Sequence, residues 1–159
     1  DCLRAAGVRV WLDGGWGVDA LVGEQTRVHD DLDLVVALAD DAAALAALSH
    51  LGFALVDDER PTRFVVRDAS DRRVDFHTVV FADDGAGIQQ LQDGSAWRYP
   101  PQGFTGAGRI SGHTVACLTA EVQMLCHLGY APDQTDCHDV ALLVERCGVA
   151  RPAAHRRQI

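Results

Sequence analysis

The sequence predicts an α+β domain (mixed α/β), a small mixed sheet with helices packed on it. Three observations carry this. Short apolar runs of strand length recur along the chain. Two early segments instead repeat their apolar residues at helical spacing. Glycine and proline punctuate nearly every change between the two patterns. The order reads strand, helix, strand, helix, several strands, then helices, with no internal repeat.

Residues 8–12 form the first apolar run, and Gly14-Gly15 closes it as a tight turn. Residues 16–22 carry Trp16, Ala20 and Leu21 at helical spacing and stop at Gly23, a residue suited to a helix C-cap. Residues 24–30 are polar and loop-like. Residues 32–36 read as a strand entered through two acids. Asp40 and Asp41 are N-cap residues for an Ala/Leu helix that Gly52 ends. Strands are expected at 53–56 and 63–67 around a turn at 57–61, and at 73–81 after a turn at 68–71. Residues 85–108 are rich in Gly, Pro and Gln and predict a long functional loop with fragments of strand. Thr119 should cap a helix reaching about Leu128, with Glu121 in its first turn. A last helix should start near Asp136 and end at Gly148. Residues 1–150 are read as one domain, with a frayed tail over 151–159.

The 159 residues suffice for one core and are too few for two full domains. No apolar run approaches the roughly 20 residues of a membrane span. The net charge of −9 comes with no basic stripe, since the only dense basic run is Arg156-Arg157. That disfavours nucleic acid as a partner and favours cationic ones. All 14 basic residues are Arg. Without Lys there is no Schiff base, no nucleotidyl-lysine and no Lys-dependent phosphate loop. Five cysteines without a CxxC pair argue against a disulfide framework or a structural zinc site. Reduced, mostly buried thiols and a cytoplasmic location are expected.

The run His29-Asp30-Asp31-Leu32-Asp33-Leu34 carries the sharpest chemistry. Residues two apart on a strand share a face, so Asp31 and Asp33 present two carboxylates together while Leu32 and Leu34 face a core. Such a pair is costly unless a cation sits between, and magnesium takes hard oxygen ligands shared with phosphates. An acidic strand edge in solvent is the plain alternative. Gly14-Gly15 permits close approach of a phosphate to backbone N–H groups at a helix start, or is an ordinary strand-to-helix connection. In Val74-Asp75-Phe76-His77, alternation puts Asp75 and His77 on one face. A neighbouring strand would bring Asp75 to the first two acids. His77 suits a structural or substrate-contact role, because magnesium prefers oxygen. Arg27 is a candidate for a phosphate oxygen, or a surface partner of Glu24 or Asp30. Tyr99, in the Gly-rich stretch, is a candidate substrate contact.

The segments Trp11-Leu12-Asp13-Gly14-Gly15-Trp16-Gly17-Val18-Asp19-Ala20-Leu21 and Thr26-Arg27-Val28-His29-Asp30-Asp31-Leu32-Asp33 together resemble the small antibiotic nucleotidyltransferases. These comprise the lincosamide nucleotidyltransferases and the aminoglycoside 2''-adenylyltransferases. The stretch from Glu121 to Tyr130, with Thr135, Asp136 and Asp139, is similar to the C-terminal part of the small lincosamide enzymes. The resemblance spans roughly residues 10–144. It implies the polymerase-β-like nucleotidyltransferase fold, Asp31 and Asp33 as magnesium ligands, Asp75 as third ligand or general base, and Gly14-Gly15 at the triphosphate. Two Mg2+ ions, ATP or another NTP, and a small hydroxyl-bearing acceptor are then expected, with a homodimer as one assembly. An antitoxin-type binding module, or a macromolecular hydroxyl as acceptor, is the alternative. Val35 and Val36 stand where the family often has a further acid or polar residue. The loop at 94–108 matches neither group closely and is expected to shape the acceptor pocket.

Overall fold

The computed structural model describes residues 1–128 and 130–151. The expected tail lies, apart from Arg151, outside the described residues. The chain opens with a short helix, α1 (Cys2–Ala5), followed by β1 (Val10–Leu12). Helix α2 (Gly14–Val22) starts two residues earlier than its apolar spacing predicts. Asp13 caps it, accepting from the Gly14 N–H, so both glycines belong to its first turn. Gly23 ends it in the left-handed conformation, φ 89°. Strand β2 (Leu32–Ala37) and a 3-10 turn lead into α3 (Asp41–Ser49).

Three strands follow: β3 (Ala54–Glu59), β4 (Arg63–Arg67) and β5 (Arg73–Phe81). The acids of 57–59, expected in a turn, lie in β3, an edge strand whose polar residues remain accessible. The Gly-rich stretch is more ordered than its composition suggests. It forms the hairpin β6 (Gly87–Gln90) and β7 (Ala96–Tyr99), a 3-10 turn, and β8 (Gly106–Ile110). Strand β9 (His113–Cys117) precedes α4 (Ala120–Cys126) and α5 (Gln134–Glu145). Thr119 occupies the N-cap of α4 without a side-chain cap bond. Helix α5 begins with a reciprocal capping box between Asp133 and Asp136.

The sheet runs β3-β4-β5-β2-β1-β9-β8, with the β6–β7 hairpin hanging from the end of β5. Strand β2 is antiparallel to β1 and parallel to β5. Alternation gives the sheet two different faces. Leu34, Val36, Phe64, Val66, Val74 and Phe76 pack with α1 and α3. Phe64 and Phe76 stack at 4.6 Å. The other face carries Trp11, Val35 and Val79 under Leu118 and Val122. Helix α2 lies against β8 so closely that a Cβ on Gly108 would strike the Ala20 backbone. No helix among the described residues is long and apolar enough to cross a membrane. Cys117 is buried, but Cys2, Cys126 and Cys147 are half-buried and Cys137 is exposed, so the thiols are less buried than expected.

Candidate active site

Parallel pairing of β2 with β5 sets the site. The register places Asp33 directly opposite Asp75, and Val35 opposite His77. Asp33, Asp75 and His77 offer ligand atoms that all lie within 4.8 Å of one another. Their strand neighbours Leu34, Val74 and Phe76 are buried on the opposite face, as alternation requires. The neighbouring strand thus delivers the third acid. Asp31 stands just before β2 and outside the compact cluster. Its carboxyl is still raised above the ordinary range, by partial burial first and then by the charges of Asp33 and Asp75.

Each acid has a different second partner. Arg63 on β4 donates to Asp75 Oδ2 at 2.7 Å and also holds Asp57 and Glu59. Asp75 Oδ1 is buried without a partner. Asp33 Oδ1 faces His77 Nε2 at 3.4 Å, and His77 Nδ1 faces Gln89. Burial lowers the His77 pKa, but the Asp33 contact and the charges of Asp13, Asp75 and Asp33 outweigh it and bring it to about 9.

The glycine turn borders the same acids. A Cβ on Gly14, whose φ is +56°, would collide with Asp33 Oδ2. A Cβ on Gly15 would meet Arg27 Nη2, and His29 Nδ1 at 2.5 Å. Only glycine leaves this space open beside the N–H groups of the first turn of α2, which have no intrahelical acceptor. Asp13, 6% exposed, sits beneath, and burial raises its pKa.

Arg27 pairs with neither Glu24 nor Asp30. It forms a two-point ion pair with Asp139 of α5, at 3.1 and 2.7 Å. Three further residues were given no role from the sequence. Buried Asp19 accepts from Thr26 at 2.6 Å and contacts His29 Nε2 at 2.5 Å, fixing the segment that leads into β2. Arg63 sits twelve residues from Asp75 in a strand that reads as ordinary. Gln89 of β6 meets Tyr99 Oη at 3.1 Å and the His77 ring. Alternation of polar and apolar residues in β6 and β7 was the only signal for Gln89.

These elements enclose a cleft of about 560 Å³. Gly14, Gly15, Arg27, Asp33 and His77, from the first part of the chain and β5, line it. The hairpin and the C-terminal segment add Gln89, Leu91, Trp97, Tyr99, Cys126, His127, Tyr130, Asp136 and Asp139. The structure therefore gathers six of the eight sequence-derived site residues at the cleft: Gly14, Gly15, Arg27, Asp33, His77 and Tyr99. Asp75 joins through the acidic cluster, whereas Asp31 lines a separate cavity with His29, Asp30 and Arg73.

A glycine-opened helix start beside acids paired across parallel strands is the arrangement of a nucleotidyltransferase. The comparisons agree. A sequence model described as aminoglycoside-2''-adenylyltransferase matches residues 1–143. The chain belongs to that family and is a nucleotidyltransferase. It is 29% identical over 133 residues to a lincosamide resistance protein of Staphylococcus haemolyticus, covering 84% of this chain and 82% of that one. It is 28% identical over 124 residues to a 2''-aminoglycoside nucleotidyltransferase of Klebsiella pneumoniae, covering 78% of this chain and 66% of that one. Among solved structures, the lincomycin-bound lincosamide antibiotic adenylyltransferase LnuA superimposes with a TM-score of 0.79 at 28% identity, covering 90% of each chain. The aminoglycoside enzyme ANT(2'')-Ia, in complex with adenylyl-2''-tobramycin, gives 0.71 at 22% identity, covering 90% of this chain and 82% of that one, a likeness of fold. Nucleotidyltransferases of this family use a nucleoside triphosphate and metal ions.

Proposed function

We propose that the chain transfers AMP from ATP to a hydroxyl of a small antibiotic-like acceptor and releases pyrophosphate. The observation that carries this is the Asp33–Asp75 register pair with its buried, unpartnered Asp75 Oδ1. A buried carboxylate oxygen without a partner is costly, and a domain that only bound a protein would gain nothing from it.

The donor set fits magnesium. Asp33 and Asp75 supply hard carboxylate oxygens, and Asp31, which feels the charge of both, would add a third. Two Mg2+ ions held there would stabilise charge on the attacking and leaving oxygens. The protein does the rest. Gly14 and Gly15 leave room for a triphosphate at the positive end of α2. Arg27, anchored by Asp139, lines the same cleft and holds a phosphate oxygen. Arg63 fixes the Asp75 carboxylate through Oδ2, which leaves Oδ1 to take the acceptor proton. The acceptor oxygen then bonds to the α-phosphorus, the bond from that phosphorus to the bridging oxygen breaks, and pyrophosphate departs. His77 and Tyr99 border the acceptor hydroxyl's approach.

Asp75→Asn keeps the shape and removes the base. With ATP, magnesium and a panel of lincosamides and aminoglycosides, it should bind acceptor normally and release no pyrophosphate above background. Near-normal release by Asp75→Asn would refute the role given to Asp75. Modification of nucleic acid or protein hydroxyls alone would refute the acceptor class.

A further inference from the structure

We propose that Gln89 is a positioning residue of the metal site: its buried amide holds the His77 ring, and through that ring the Asp33 carboxylate, in the orientation that binds the ions. This rests on the metal-dependent reading above and concerns how the chain prepares that site.

Gln89 lies in β6, on a hairpin that joins the sheet only at the end of β5. Its side chain is nevertheless buried, with the residue 5% exposed. An amide buried this deeply must place both of its ends on partners. The nitrogen donates to Thr62 O at 2.9 Å, and the oxygen accepts from Tyr99 Oη at 3.1 Å. These partners fix which end is which. A carbonyl oxygen can only accept, so turning the amide over would set two oxygens against each other at Thr62.

The same nitrogen stands 3.4 Å from His77 Nδ1. It offers hydrogen there, so the ring's own proton belongs on Nε2, which faces Asp33 Oδ1 at 3.4 Å. A ring with two protons also donates from Nε2, so the direction of this contact does not depend on the ring's charge. Asp33 Oδ1 is thereby engaged. Oδ2 is the oxygen that borders Gly14 and the helix start offered to the triphosphate.

Gln89 also touches the support of the other acid. Thr62 precedes Arg63, which stands opposite His77 in the β4–β5 register and donates to Asp75 Oδ2 at 2.7 Å. One amide thus lies between the partners of both metal-binding acids. Such partners restrict the ligand groups before a cation arrives, and their removal weakens metal binding by about tenfold or more. A glutamine that only tied the hairpin to the sheet would need Thr62 and Tyr99 but not the ring.

The test counts bound Mn2+ by electron paramagnetic resonance, without nucleotide or acceptor, in wild type, Gln89→Met, His77→Leu and the double variant. Met matches the length of Gln, and Thr62 O keeps the Thr78 N–H at 3.2 Å. Gln89→Met should weaken Mn2+ binding about tenfold in protein that circular dichroism shows to be folded. In the His77→Leu background the same change should cost less than about twofold, because the ring it acts through is gone. Should Gln89→Met fail to fold, Gln89→Asn, which keeps the amide but draws it back from the ring, carries the same comparison. Unchanged Mn2+ affinity in the folded variant, or equal losses in both backgrounds, would overturn this inference and leave the metal reading standing. Absence of Mn2+ binding in wild type would overturn both.

Discussion

The two groups of residues that line the cleft are built on different principles. The nucleotide group is made of backbone and charge: two glycines at a helix start, acids matched across parallel strands, and arginines each held by an acid. The acceptor group mixes rings and aliphatic side chains, Leu91, Trp97, Tyr99 and Tyr130, with the polar Gln89, His127 and Asp136. The first group handles a ligand whose triphosphate chemistry does not vary, so its geometry can be fixed by local sequence. The second must suit one acceptor, and it comes from a hairpin paired to the end of β5 and from the C-terminal helices.

That contrast can be broken most sharply at Asp33. Asp33→Ala should lower turnover by at least about a thousandfold, because it removes a metal ligand. Its melting temperature without magnesium should hold or rise, since the like charges at Asp75 and Asp31 are relieved. Thermal melts and pyrophosphate release on one preparation check both.

Phe76 lies between Asp75 and His77 but points to the other face, 0% exposed and stacked on Phe64. Phe76→Ala should cost about 3–5 kcal/mol of stability. In denaturant titrations the midpoint should fall while the folded fraction keeps its KM values. Loss of activity in fully folded protein would show that the two faces are coupled.

Gly15→Val would push a side chain into Arg27 and His29. The KM for ATP should rise about thirtyfold, while acceptor binding, followed by calorimetry on folded protein, changes less than about threefold. Equal losses for both ligands would make the turn purely structural.

The smallest effect is expected at Asp13. Its folded pKa is raised by burial, so the native state holds its proton to higher pH than the unfolded chain does. Its contribution therefore becomes destabilising as pH rises above the ordinary carboxylate value of 3.8. Asp13→Asn still accepts from Gly14 and should raise the melting temperature by about 3 °C at pH 7. The gain should vanish below pH 3.8. A gain that persists at low pH would point to packing instead.

The nucleotide group was the legible one. Gly14-Gly15 and the alternation of Asp75 with Phe76 are signals within a few residues, and they predict faces correctly, whereas the Asp31/Asp33 spacing does not bring Asp31 into the cluster because Asp31 precedes the strand. What escaped was long-range pairing. Arg27 and Asp139 are 112 residues apart, and nothing near either announces the other. Arg63 reads as one more residue of an alternating strand until β4 is laid beside β5. The stretch at 85–108 was read as a loop because glycine and proline dominate its composition. Trp97-Arg98-Tyr99 nevertheless alternates, and pairing with β5 stabilises strands that local propensity alone does not specify. Net charge has a related limit: it counts acids without showing which arginine each one meets.

The central claim is that the α-phosphoryl group of ATP, with its nucleoside, moves to an acceptor hydroxyl at the Asp33–Asp75 site. The most direct measurement offers the protein ATP labelled at either the α- or the γ-phosphate, with magnesium and lincomycin or tobramycin. The account predicts α-label in the acceptor, matched by released pyrophosphate and abolished in Asp33→Ala. Label from the γ-phosphate in the acceptor, or α-label transfer that survives Asp33→Ala, would contradict it.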